Sequence, residues 1–125
     1  MIDFSFDPAR RRLQARYRGF WSVENAKTAL SQLRAALDDA AVGGQPFTLL
    51  DDFRGWPTQV PEVVEINKQF ATICQGYPIT RNAMILPSAL LRMQVARTVE
   101  ALASCRAFRT LEEADLWLSE VEPRA

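Results

Sequence analysis

The sequence predicts an α/β fold: a mixed five-stranded sheet of successive βα units, with an antiparallel N-terminal edge strand and four main helices. Three observations carry this expectation. Met1–Phe20 holds two alternating apolar runs on either side of a turn. Helical stripes and short apolar runs then alternate to the end of the chain. One of those runs, Asn82–Pro87, is apolar without alternation, as a strand covered on both faces must be. The element order is β-β-α-β-α-β-α-β-α in a single domain spanning 1–125, and the sheet order is expected to follow the chain.

In the first hairpin, Ile2, Phe4 and Phe6 share one face, as do Leu13, Ala15 and Tyr17. Opposed residues of an antiparallel pair share a face, so Phe6 must meet Leu13 and Phe4 must meet Ala15. Pro8-Ala9-Arg10-Arg11 is then the turn, and the outer face sets Asp3 opposite Arg16 and Asp7 opposite Arg12. A charged outer face also protects an edge from aggregation.

Ser22 caps a first helix whose stripe is Val23, Ala26, Leu30, Leu33, Leu37 and Ala40, stopped by Gly43-Gly44. Pro46–Asp52 reads as the third strand. Pro61 suits the first turn of a second helix, with Val63, Ile66, Phe70 and Ile73 inward and Gly76 at its end. Ser88 caps a third helix carrying Leu91, Val95, Val99 and Leu102. Arg106–Phe108 makes a brief last strand. Thr110 and Glu113 form a capping box for a final helix with Ala114, Trp117, Leu118 and Val121 inward.

The chain of 125 residues balances 15 basic against 15 acidic side chains, so no bulk field draws nucleic acid or anionic lipid. Charge is uneven locally: Met1–Phe20 is basic and Leu111–Ala125 acidic. With an exposed strand edge, that asymmetry raises the expectation of a homodimer. Cys74 and Cys105 are far apart in sequence, each at the end of a helical pattern, and read as buried thiols rather than a disulfide. No leader pattern and no apolar run of bilayer length is present, so a cytoplasmic protein without membrane insertion is expected.

Gly19-Phe20-Trp21-Ser22 entering the first helix, Leu49–Gly55 (LLDDFRG) closing the third strand, and the tail FRTLEEADLWL with Phe108, Ala114, Trp117 and Leu118 together resemble the SpoIIAA-like family. These are short bacterial single-domain proteins related to STAS domains and, in fold, to the lipid-binding SEC14 domain. The resemblance spans nearly the whole chain in element order and implies a sheet of successive βα units. In the anti-sigma factor antagonists of this superfamily, an Asp-Ser step after the equivalent strand supplies a phosphorylated serine that controls partner binding. This chain reads Asp51-Asp52-Phe53 there, and the nearest hydroxyl is Thr58. No phosphorylation is expected at this loop.

The chemistry is sparse. The sequence has no histidine, no cysteine beside a base and no carboxylate spacing for a metal, so neither a catalytic site nor a cofactor is expected. Asp51 and Asp52, adjacent on a strand, point to opposite faces and cannot act as a dyad. Ligands of open α/β sheets bind beyond the carboxyl ends of the parallel strands. That rule selects Trp21, Ser22, Asp52, Arg54, Trp56 and Ser88 as candidates for binding a partner or ligand. The competing reading is structural: Trp21 staples its helix, Trp56 packs under the loop, and Asp52 pairs with Arg54. Three functions follow in order of support: a non-enzymatic interaction or regulatory domain, a binder of a small apolar or lipid-like ligand, and a hydrolase using Asp52.

Overall fold

The computed structural model describes residues 1–86, 88–90, 92–93 and 104–121. Its strands are β1 (Ile2–Asp7), β2 (Arg12–Arg18), β3 (Phe47–Gly55), β4 (Ile79–Ile85) and β5 (Cys105–Phe108). They form one sheet in the order β1-β2-β3-β4-β5, antiparallel between β1 and β2 and parallel elsewhere. Helices α1 (Val23–Ala40), α2 (Pro61–Cys74) and α3 (Leu111–Ser119) pack on it, and a 3-10 turn (Val42–Gly44) follows α1. Most of the helix expected after Ser88 lies outside the described residues. At its start the Arg92 N–H donates to the Ser88 carbonyl at 3.0 Å, a helical bond.

The hairpin register is the one demanded by matching apolar faces, with Phe6 opposite Leu13 and Phe4 opposite Ala15. The α1 terminus is better built than Ser22 alone suggests. The Asn25 N–H donates to Ser22 Oγ at 3.0 Å and the Ser22 N–H to Asn25 Oδ1 at 3.2 Å, a full reciprocal box. At α3 the box is only half made. Thr110 Oγ1 accepts the Glu113 N–H, but the Glu113 carboxylate accepts a hydrogen bond from the Thr110 hydroxyl at 3.0 Å instead of capping the backbone. Past α1, Gly43 and Gly44 both take positive φ, which is why the helix stops there.

Two cores flank the sheet. On one face α1 and α2 cover Leu13, Ala15, Tyr17, Leu49, Phe53 and Met84. On the other, α3 covers Leu50, Ala83 and Ile85 with Ala114 and Leu118. Two expectations for α3 need correction. Trp117 is only partly buried, with the Arg81 guanidinium 4.6 Å from its ring and Phe108 at 5.5 Å. Val121 lies past the helix and is exposed, because α3 is too short to bring that position onto the sheet. Cys105 is also misplaced by the helical pattern. It opens β5, and both cysteines are free thiols.

The outer face of the hairpin departs from its expected pairing as well. Asp7 and Arg12 are opposite in register, yet Arg12 Nη1 bonds Asp115 of α3 at 2.6 Å, and Arg10 joins the same carboxylate at 3.0 Å. Asp3 pairs with Arg18 and not with Arg16. The basic hairpin and the acidic last helix therefore meet within one chain. Arg12 is buried and Asp115 about 41% exposed, so this pair is worth more than a surface bridge but less than a fully buried one. Asp115→Ala is expected to cost about 1–2 kcal/mol in urea denaturation. Arg10→Ala, at an exposed side chain, should cost under about 0.5 kcal/mol.

Candidate functional site at the carboxyl end of the sheet

Strand β3 runs to Gly55, three residues beyond the expected end. Asp52 and Arg54 consequently sit on the strand, two apart and on one face. Arg54 donates from Nε and Nη2 to the two Asp52 oxygens at 2.9 and 2.7 Å, and its backbone N–H adds a third bond at 3.0 Å. Burial pushes the Asp52 carboxyl upward, but the Arg54 bonds outweigh it and hold the group below the usual carboxylate range. Asp52 is thus a charged, fully occupied acceptor, poorly suited to act as a base.

The two tryptophans are buried, not presented. Trp21 and Trp56 are 5% and 3% exposed and meet edge to face at 5.4 Å. Tyr17 and Phe53 stack beside them at 4.0 Å, and Phe70 closes the cluster from α2. Trp21 Nε1 donates to the Arg18 carbonyl at 2.9 Å. Ser22 Oγ is engaged as the α1 cap, and Ser88 lies exposed at the end of the segment after β4. The candidate residues therefore surround a shared carboxyl end, but Trp21 and Trp56 form its floor.

Gln59, which the sequence does not single out, ties that floor together. Its buried side chain accepts the Trp21 N–H at 2.8 Å and donates to the Gly19 and Pro57 carbonyls at 3.1 and 2.8 Å. The Gly19 N–H adds a bond to the Gly55 carbonyl at 3.0 Å. Both loops are pinned, and the ring left outside is Phe20, 79% exposed, with Val60 53% exposed on the facing segment.

Asp51 points the other way, into the α1–α2 core. The Tyr17 hydroxyl donates to it at 2.9 Å and Asn82 Nδ2 at 2.8 Å. Asn82 Oδ1 in turn accepts the Cys105 thiol at 3.4 Å. Burial pushes the Asp51 carboxyl up to about 6, against the pull of the Asn82 and Tyr17 bonds. Tyr17 is raised well above its ordinary value by the same burial and by the Asp51 charge. The space beside Asp51 is about 20 Å³, lined by Tyr17, Phe53, Asn67, Phe70 and Asn82 among others, which is room for one water-sized occupant. Asn67 Oδ1 lies buried there without a donor. Roomier clefts of about 310 and 220 Å³ open at the amino ends of β3 and β4, and one of about 250 Å³ lies between β1 and α1.

No protein-family model matches the chain, and no curated protein matches it in sequence. Its fold is nevertheless that of a known class, the SpoIIAA-like α/β domains. A crystal structure of an uncharacterised DUF3478-family protein with a SpoIIAA-like fold, from Shewanella loihica PV-4, superposes with a TM-score of 0.68 at 16% identity. The match covers 94% of this chain and 93% of that one.

The Asp51 environment sets a pH dependence. A carboxyl raised in the folded state contributes stability that is complete below its unfolded value, near 4, and lost as pH rises through about 6. Asp51→Asn should remove that loss, gaining on the order of 3 kcal/mol over wild type at pH 8 and little at pH 4. Thermal melts of both proteins across pH check it. Trp56→Ala should cost about 3–5 kcal/mol in a denaturant melt, as a buried aromatic does.

Proposed function

We propose that this protein is a non-enzymatic interaction domain of STAS type, which engages a protein partner at the carboxyl end of its parallel strands. The observation that carries the reading is Phe20: a large apolar side chain, 79% exposed, on a loop pinned by Gln59 and Gly55. A rigid, exposed aromatic loses little conformational entropy when a partner covers it, which is the property of an interface anchor. Arg54, about half exposed near the end of β3, adds a polar group to the same end of the sheet.

The chemistry of the remaining groups supports a role without catalysis. Burial raises both thiols, Cys105 to about 12 and Cys74 further, so neither is a ready nucleophile. Asp52 is neutralised by Arg54, and Asp51 faces a space that admits no substrate. At this carboxyl end the space is water-sized, too small for an apolar or lipid-like ligand, which needs a cavity of several hundred Å³. No regulatory phosphorylation is part of the proposal, since the strand-three loop carries no Ser or Thr before Thr58.

Phe20→Ala should shift stability by no more than about 0.5 kcal/mol, because the ring packs on nothing it must leave. A photo-crosslinking residue at position 20 should yield a dominant protein adduct in cells, and one at the exposed Leu116 should not. Equal adducts at both positions, or a lipid retained by the wild type in a native mass spectrum, would overturn the reading.

A further inference from the structure

Strand β1 ends the sheet order, so among the described residues nothing pairs with its outer side. The backbone bonds show what that side offers. Met1 and Arg18 exchange both N–H···O bonds, which makes them a hydrogen-bonded pair of the antiparallel ladder. Such pairs recur at every second residue, so Asp3, Ser5 and Asp7 direct their backbone groups toward β2. Ile2, Phe4 and Phe6 direct theirs outward. The β1–β2 register is continuous, without a bulge, and the strand contains no proline or lysine to blunt the edge. The opposite edge, β5, has only four residues.

The side chains at this edge are also unfinished. Phe4 and Phe6 are only partly buried, and a cleft of about 250 Å³ opens between them and Ala36, Asp39 and Ala40 of α1. The attraction between basic hairpin and acidic last helix is already satisfied inside the chain by Arg10, Arg12 and Asp115, so it supplies no contact between copies. What remains is the edge itself and its two aspartates, Asp3 held by Arg18 on β2 and Asp7 beside Arg10.

We propose that β1 pairs with β1 of a second copy, antiparallel about a two-fold axis at Phe4, so that one sheet runs through a homodimer. A two-fold axis normal to the sheet requires antiparallel strands. The outward backbone groups of the even-numbered residues then permit only certain registers. Centring on Ser5 sets Asp3 against Asp7 of the other copy, and centring on Asp3 sets it against itself; both oppose like charges. Centring on Phe4 sets Asp3 opposite Ser5, whose hydroxyl can donate to the carboxylate. Phe4 meets Phe4, and Ile2 meets Phe6, all on the apolar face. Because the parallel strands of the two copies then run in opposite directions, their carboxyl ends, with Phe20, point apart. The proposal does not depend on the function proposed for that end.

The test uses sedimentation velocity over a concentration series, on wild type and variants at the exposed Ser5. The wild type should reach the mass of two chains and dissociate on dilution. Ser5→Asp places two aspartates opposite one another twice, through the symmetry, and should weaken association roughly tenfold. Ser5→Lys should strengthen it by a similar factor, and Asp3→Lys combined with Ser5→Asp should restore it. Circular dichroism confirms that each variant is folded. A wild type of single-chain mass at every concentration overturns the proposal. So does a Ser5→Lys variant that weakens association as Ser5→Asp does, the result expected if Ser5 faced itself.

Discussion

Strand β3 is buried without interruption from Phe47 to Phe53, and the rest of the molecule is arranged around that constraint. A strand covered on both faces must answer every polar group inside the protein, since no water is available to do so. Its two adjacent acids meet this demand in opposite ways. Asp52 is answered by its own strand, through Arg54 two residues on, and stays charged. Asp51 is answered by neutral donors from the neighbouring strands, Tyr17 of β2 and Asn82 of β4, while burial pushes its carboxyl upward. The hydrogen bonds of Asp51 thus stitch three strands together on one face. The Asp52–Arg54 fork ends the strand on the other.

This arrangement explains why the carboxyl end is closed. Trp21 and Trp56, the aromatic binding candidates of the sequence, fill the space above Asp51 with Tyr17, Phe53 and Phe70, in mutual ring contact. Gln59 then satisfies the loop backbones that an aromatic floor would otherwise strip of solvent. What the end can offer a partner is a fixed surface, from which Phe20 projects, and not a cavity.

Charge follows a similar logic on the outer face. Arg12 lies on a strand face that α3 partly covers, and its guanidinium needs a carboxylate within reach. Asp115 supplies it from 103 residues away in the chain. The local charge excess of the hairpin is therefore a device for docking α3, and the region beyond it, at Asp3, Ser5 and Arg16, stays open to solvent.

The sequence alone determined the strand order, the hairpin register and the faces of Asp51 and Asp52, because a period of two leaves a single way to bury Ile2, Phe4 and Phe6 with Leu13, Ala15 and Tyr17. It also settled the α1 boundaries, where Ser22 and Gly43-Gly44 act through local backbone geometry. Only the tertiary structure decided the rest. Whether Trp21 or Phe20 would be the buried ring is not encoded in a loop without periodicity; it follows from where Gln59 and Trp56 lie once β3 has reached Gly55. Likewise Asp51 is the acid answered by neutral donors because residues 34 and 31 positions away bring them to it. Interactions set by local period are visible in the chain. Those that depend on which distant donor arrives at a buried acceptor exist only after the sheet has closed.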